Sequence, residues 1–220
     1  MSGRIQAVIV DLDGVLVESE QVCDAARRRL TEASGVRWSE SATQDMMGMN
    51  STEWSRYMHE ELGVKMPPEE ISAAVVERME GLYREHLPRI SGAREAVERV
   101  AARWLLGLAS SANRPVIEVV LELSDLGNFF ETTVSSEEVA RGKPAPDVYL
   151  SAVEKLGLTP AVCAAVEDSS NGLRAAAAAG LAVIAVPHGV YPPAADALAG
   201  AALVVGDLAD LTVEAVEALG

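Results

Sequence analysis

Two aspartates one residue apart, Asp11 and Asp13, close a short aliphatic run, and their type and spacing suit nucleophilic and acid–base chemistry. Leu12 between them lets the side chain of one and the backbone carbonyl of the other share a face. Further polar sets can join them: Ser110, Ser111 and Asn113, then Lys143, then Glu167 with Asp168. If these sets meet, four carboxylates converge. Each like-charge pair then costs about 4 kcal/mol at ~4 Å and an effective dielectric of ~20. Such repulsion demands a cation. A hard divalent ion with oxygen ligands answers it, and Mg²⁺ suits carboxylates, waters and a phosphate. Lys143 adds positive charge and is one of three lysines beside fifteen arginines.

The elements that must position these groups follow from the apolar pattern. Residues 5–10 form a short run that is aliphatic except for Gln6 and is bounded by a turn, the mark of a strand buried on both faces. Similar runs at 105–109, 132–135, 162–166, 182–186 and 202–205 predict further strands. Helical patterns at 93–103, 115–123, 147–156 and 169–179 alternate with them, and Gly180 is placed to end the last. This alternation predicts an α/β fold, a Rossmann-like parallel sheet with helices on both faces. Every polar set then lies at the carboxyl edge of the sheet, where ligands bind in such folds.

Residues 18–87 read differently, as helices without a strand. Residues 19–33 carry Val22, Ala26, Leu30 and Ala33 at helical spacing. Residues 51–62 form a second helix, with Asn50 and Glu53 placed as a capping box. Pro67-Pro68 opens a third that runs to about residue 86. The expected division is a core of residues 1–17 and 88–220 with an all-helical insertion, 18–87, after the first strand.

The formal net charge of −15 argues against nucleic acid or anionic lipid as a partner. It also means that an anionic substrate needs a cation at the site. Cys23 and Cys163 provide no disulfide framework and read as buried thiols. The longest apolar run, residues 175–186, falls well short of the ~20 residues of a membrane span. A cytoplasmic protein is expected, monomeric or weakly dimeric. An EF-hand loop at Asp11 is excluded, because the glycine comes too early and Val22 occupies the position of the closing Glu. Ser110, Ser111 and Asn113 either cap the next helix or hold an anion. Gly172 reads as backbone fit.

Taken together, Asp11-Leu-Asp-Gly-Val-Leu-Val-Glu-Ser19, Ala109-Ser110-Ser111, Arg141-Gly-Lys-Pro-Ala-Pro-Asp147 and Glu167-Asp-Ser-Ser-Asn-Gly172 resemble the four signature motifs of the haloacid dehalogenase superfamily. Their order and strand contexts match across almost the whole chain. The helical insertion resembles the small cap of the phosphoglycolate phosphatase and β-phosphoglucomutase branch. The resemblance implies that Asp11 is a nucleophile forming an aspartyl-phosphate and Asp13 the acid/base, its carbonyl a Mg²⁺ ligand. It implies that Asp168 is the main distal metal ligand, with Glu167 a ligand or behind it. Ser110 would hold phosphoryl oxygens, and Lys143 would pair with the nucleophile and the transferring group. Cis X–Pro bonds are only ~5% of the total, but a functional lysine held in a rigid Gly-Lys-Pro-Ala-Pro loop makes a cis Lys143–Pro144 bond the expectation.

The implied activity is Mg²⁺-dependent hydrolysis of a small phosphorylated metabolite. The rival is a β-phosphoglucomutase-like mutase, against which Cys23 stands where those mutases carry a histidine and Ser51 where they carry an arginine. A non-catalytic phosphate sensor has no need of Asp13. Dehalogenation does not fit Asp13 either. Phosphonate hydrolysis fails because Lys65 is the only lysine in the insertion. Met46, Met47, Gly48, Met49 and Asn50 lie where caps of the family point a loop into the cleft. Gly48 is the substrate-contact candidate among them. Trp38 and Trp54 are expected to pack the insertion. Arg56, Tyr57 and His59 are expected on a solvated face.

Overall fold

A computed structural model describes residues 4–46, 49–187 and 192–220. Gly48 and Met47 therefore lie outside the described residues. In chain order the elements are β1 (Ala7–Val10), α1 (Ser19–Ala33), α2 (Ala42–Asp45), α3 (Ser51–Glu60), α4 (Pro68–Glu85), α5 (Ala93–Ala101), β2 (Leu105–Ser110) and α6 (Arg114–Ser124). There follow β3 (Thr132–Ser135), α7 (Asp147–Lys155), β4 (Cys163–Glu167), α8 (Ser170–Ala178), β5 (Ala182–Ala185), α9 (Ala195–Ala199), β6 (Leu203–Val204) and α10 (Val213–Glu217).

The sheet order is β3-β2-β1-β4-β5-β6, and every pairing is parallel. The chain winds outward in one direction from β1 to β3, then crosses to β4 and winds the other way. The crevice between the carboxyl ends of β1 and β4 is the switch point where ligands bind in open α/β sheets. Two strands run one residue further than the apolar runs predict. Ser110 pairs with Ser135, and Glu167 with Ala185, so both polar side chains are fixed by a ladder rather than a loop.

Alternation along the strands sends side chains to two cores. Val8, Val10, Leu106, Leu108 and Val166 pack on the α5–α6 side. Ala7, Ile9, Ala109, Val134 and Ala165 pack on the side of α7 and α8. The second core is rich in alanine, including Ala164's neighbour Ala165 and helical Ala175 and Ala176, which lets helix and sheet approach closely with few aromatics. Gly180, with φ of +83°, ends α8 as expected, and its amide donates to the Ala177 carbonyl at 3.0 Å.

The helices between β1 and α5 join the first core through Met58, Val75, Met79 and Tyr83. The capping box of α3 is present in both halves, Asn50 with Glu53. On α1 the inward face is Ala26, Arg27, Leu30 and Thr31, whereas Ala33 is exposed. The expected stripe was thus displaced toward two polar residues that aliphatic periodicity does not reveal. The connectors on either side of this helical segment pair with each other. Glu18 N donates to Pro88 O at 2.9 Å and Ile90 N to Leu16 O at 3.0 Å. The helices α2, α9 and α10 span only 4, 5 and 5 residues, too few to show a helical period. No described helix is long and apolar enough to cross a membrane.

Candidate active site

β1 delivers Asp11 directly to the switch point. Its amide donates to Val166 O at 3.0 Å, tying the first residue past β1 to β4. The backbone then turns tightly at Gly14, with φ of +75°. A Cβ there would lie 1.9 Å from Asp168 Oδ2, so only glycine lets the loop pass this carboxylate. Gly172 has the same role at the start of α8, where a Cβ would lie 1.8 Å from Glu167 Oε1.

Lys143 is the cation at the centre of the site. Its Nζ donates to Asp11 Oδ1 at 2.8 Å, Glu167 Oε1 at 2.5 Å and Ala109 O at 3.0 Å. All three side chains are at most 7% exposed. The Lys143–Pro144 bond is cis. Sequence reasoning missed Tyr149 on α7. It is fully buried, its hydroxyl donates to Glu167 Oε1 at 2.8 Å, and its ring lies 5.1 Å from Lys143 Nζ. Its position two residues after the Pro146-Asp147 step that ends the third motif was the available signal.

Glu167 and Asp168 are adjacent but differently placed. Glu167 Oε2 accepts from the amides of Asp168 and Ser169 and from Ser169 Oγ, at 3.1–3.2 Å. With Lys143 and Tyr149 on its other oxygen, both Glu167 oxygens are occupied. Asp168 Oδ1 is buried without a partner among the described residues. Carboxylate oxygens of Asp11, Glu167 and Asp168 lie within 4.8 Å of one another. An orphaned buried carboxylate oxygen among converging acids, all hard oxygen donors, fits a divalent ion such as Mg²⁺.

The electrostatics say the same. Burial, then the Glu167 charge, push the Asp11 carboxyl up to about 8 and that of Asp168 up to about 9, with Lys143 opposing both. Burial pulls the Lys143 ammonium down, but Asp11 and Glu167 outweigh it and hold it above its ordinary value. Burial also raises the Asp13 carboxyl, against Ser19, Lys143 and Ser110. A raised carboxyl is suited to giving and taking a proton near neutral pH.

Ser110 is fully buried behind Asp13. Its Oγ donates to Asp13 Oδ2 at 3.3 Å and accepts from the Ala112 amide at 2.9 Å. Ser111 and Asn113 instead face a cavity of about 600 Å³ that also opens onto Asp11, Asp13, Lys143 and Asp168. Asn113 precedes α6, but its side chain donates to Glu137 Oε1 at 2.5 Å rather than capping the helix, and Glu137 accepts from the Arg114 amide instead.

The opposite wall of the cavity comes from the helical segment: Glu20, Cys23 and Arg27 on α1, Asn50 and Ser51 at the head of α3, Trp54, and Met79 on α4. Glu20 and Arg27 were also missed; with Cys23 they fall at i, i+3 and i+7, one face of a helix. Met46 is fully buried in the core, and Met49 faces the cavity. Trp54 is buried and Trp38 partly so, as packing residues. Arg56 and His59 are exposed, and Tyr57 donates to Asp45 Oδ2 at 2.7 Å.

Comparison with known proteins agrees with this geometry. A family model described as haloacid dehalogenase-like hydrolase matches residues 5–180. The chain is 34% identical over 179 residues to the phosphorylated carbohydrates phosphatase of Thermotoga maritima, covering 80% of this chain and 82% of that protein. It is 35% identical over 192 residues to hexitol phosphatase B of Escherichia coli, covering 84% of each. Among solved structures, CbbY from Rhodobacter sphaeroides in complex with phosphate superposes with a TM-score of 0.86 at 26% identity, over 97% of this chain and 99% of that one. The putative beta-phosphoglucomutase from Thermotoga maritima does so with a TM-score of 0.75 at 32% identity, over 94% and 96%.

Proposed function

The chain belongs to the haloacid dehalogenase-like hydrolases and is a phosphoric monoester hydrolase, and from that premise we propose that it releases phosphate from a small phosphorylated sugar or related metabolite through Asp11. The observation that carries this reading is the buried Lys143 bridge between Asp11 and Glu167, on the floor of a cavity that also contains Asp13 and an unpartnered Asp168 oxygen. Neither a phosphate sensor nor a dehalogenase needs that whole set.

In the first step an Asp11 carboxylate oxygen bonds to phosphorus as the bond from phosphorus to the leaving oxygen breaks. Asp13 gives its proton to that oxygen. In the second step Asp13 takes a proton from water, the water oxygen bonds to phosphorus, and the bond to Asp11 breaks. Acid–base help of this kind contributes ~10²–10⁴-fold. Lys143 holds Asp11 in place and faces the charge on the phosphoryl group. Ser111 and Asn113 are placed to donate to its oxygens, while Ser110 orients Asp13. Asp11, Asp168 and the Asp13 carbonyl would hold Mg²⁺, with Glu167 orienting Lys143 and the Asp168 loop. The ion would neutralise the converging oxygens and polarise the phosphoryl group.

Residues 18–87 act as a cap over the core formed by 1–17 and 88–220. The paired connectors at 16–18 and 88–90 are its hinge, and closure excludes water from the site. A mutase must hold both ends of a bisphosphate. Burial pushes the Cys23 thiol up to about 11, which leaves it neutral and unfit for that work, and Ser51 carries no charge.

Two measurements test the proposal. Trapping with beryllium fluoride is expected to put the mimic on Asp11; any other site overturns the scheme. A Mg²⁺-dependent assay on sugar monophosphates is expected to release orthophosphate; an isomeric sugar phosphate retaining its phosphorus would make the chain a mutase.

A further inference from the structure

The helix-side wall contains two polar groups that the chemistry above leaves unused. Arg27 is 5% exposed, yet its Nε has no hydrogen-bond partner and no carboxylate stands within ion-pair distance among the described residues. Its guanidinium lies over Trp54, 5.0 Å from the ring centroid. Glu20 Oε1 is likewise buried without a partner. Both residues line the cavity. An unpartnered buried polar group is destabilising, and more so when charged, so a native structure keeps one where something else completes it.

We propose that Glu20 and Arg27, with Trp54 as backing, form the subsite that reads the leaving group, and that this leaving group is a neutral, extended polyhydroxy chain. The proposal rests on the phosphatase reading and names its substrate class.

The chemistry is complementary. Arg27 only donates and Glu20 only accepts when ionised, so together they match the alternating donors and acceptors of adjacent hydroxyls. The two residues are seven apart on α1, a stripe about 10 Å long. Burial raises the Glu20 carboxyl, Arg27 opposes that, and Asp13, the proposed proton donor to the leaving oxygen, adds to it, so Glu20 lies within electrostatic reach of both. The leaving group therefore starts beside Asp13, passes Glu20 and reaches Arg27. A two-carbon acid such as glycolate ends too early. A second phosphate would bring its charge against the Glu20 carboxylate, which lines the same wall as Arg27.

The test uses the Mg²⁺-loaded protein and four esters: a hexitol monophosphate, phosphoglycolate, a ketohexose bisphosphate and p-nitrophenyl phosphate. The wild-type protein is expected to prefer the hexitol monophosphate over phosphoglycolate and the bisphosphate by at least about 10-fold in kcat/KM. A preference for either of those two overturns the subsite. Arg27→Met keeps the stem that packs on Trp54 and removes the fork. It is expected to lower the ratio of kcat/KM for the hexitol ester to that for p-nitrophenyl phosphate roughly 10- to 100-fold, mainly through KM. An equal loss on both esters would mark Arg27 as structural and overturn the proposal. Glu20→Gln gives a smaller fall in the same ratio and stands in if Arg27→Met fails to fold. Phosphate release from none of the four esters by the wild type overturns the parent reading and the subsite with it; release with an unmoved ratio overturns the subsite alone.

Discussion

On the sheet side of the cavity the fold supplies a partner for almost every charged group, whereas on the helix side Arg27 Nε and Glu20 Oε1 are buried atoms without a partner among the described residues. Lys143 is held by three acceptors and Glu167 by five donors. Asp168 Oδ1 is the exception on that side, and it is where the acids call for a cation. The difference separates two tasks. A group that must act on every phosphate ester is pre-set by the protein before substrate arrives. A group that must distinguish one ester from another is completed by the ligand. Substitutions on the two sides should therefore fail in different ways: sheet-side losses fall on kcat for every ester, helix-side losses on KM for some.

The strongest way to break this comparison is at Asp13. Asp13→Asn is expected to lower kcat by ~10²–10⁴-fold for all esters alike. It should leave Mg²⁺ and ligand binding nearly intact, as measured by calorimetry. Unchanged turnover would remove Asp13 from its role. A loss confined to one ester would move it to the helix-side group.

Why the sheet side is legible in sequence follows from the same contrast. Strand ends are marked twice, by an aliphatic run and by the polar residue that stops it, as at Val10–Asp11 and Val166–Glu167. Parallel pairing then brings those ends together without any knowledge of the loops. Asp11, Asp13, Glu167 and Asp168 were accessible that way, whereas Lys143 lies in the loop between β3 and α7 and was marked by its Gly-Lys-Pro-Ala-Pro setting. Tyr149 was not, because a tyrosine in an amphipathic helix looks like core, and only the helix's rotation turns its hydroxyl onto Glu167. Glu20 and Arg27 were hidden more deeply. They occupy polar positions of a helix whose apolar stripe suggests that they face water. That Arg27 is buried and Glu20 half-buried depends on α3 and α4 covering that side, a tertiary fact with no local signal.

Metal removal sharpens the comparison next. Without the ion, Asp11 and Asp168 bind protons more tightly folded than unfolded, with carboxyls raised to about 8 and about 9. Their contribution to stability is full below the ordinary carboxylate range and is lost as pH rises through those raised values. The metal-free protein should thus lose thermal stability between about pH 4 and pH 9. Added Mg²⁺ should restore it most at the alkaline end and release protons on binding. At a hundredfold excess over Kd the gain is about 2.7 kcal/mol. Scanning calorimetry across that range, with and without the ion, is the check. A metal-free stability that rises with pH would contradict the converging acids.

Tyr149→Phe probes how much of the sheet-side order comes from behind the reacting groups. It removes one donor from Glu167 and leaves the packing. Groups that orient ligands in this way are typically worth ~10–100-fold in metal affinity or activity. The expected result is a weaker Mg²⁺ Kd by about that factor, with the ranking of esters unchanged. A changed ranking would mean that Tyr149 senses the leaving group, and the division between the two sides would blur.

The smallest effect belongs to Asn50, which faces the cavity and also caps α3. Its Oδ1 accepts from the Glu53 amide at 3.0 Å, and Glu53 Oε2 accepts from the Asn50 amide at 2.9 Å. Asn50→Ala should cost about 1 kcal/mol, which for a chain of this size lowers Tm by roughly 2–4 °C. Asn50→Ser keeps a capping oxygen and should recover most of that loss in a thermal melt. Kinetics separate the cap from the cavity. If the serine variant is stable yet selectively impaired on the hexitol ester, the amide itself touches substrate, and Asn50 joins Arg27 and Glu20 among the groups that the ligand completes. If stability and selectivity both return with serine, Asn50 is a helix cap that happens to border the cavity, and the reading of the leaving group stays with α1.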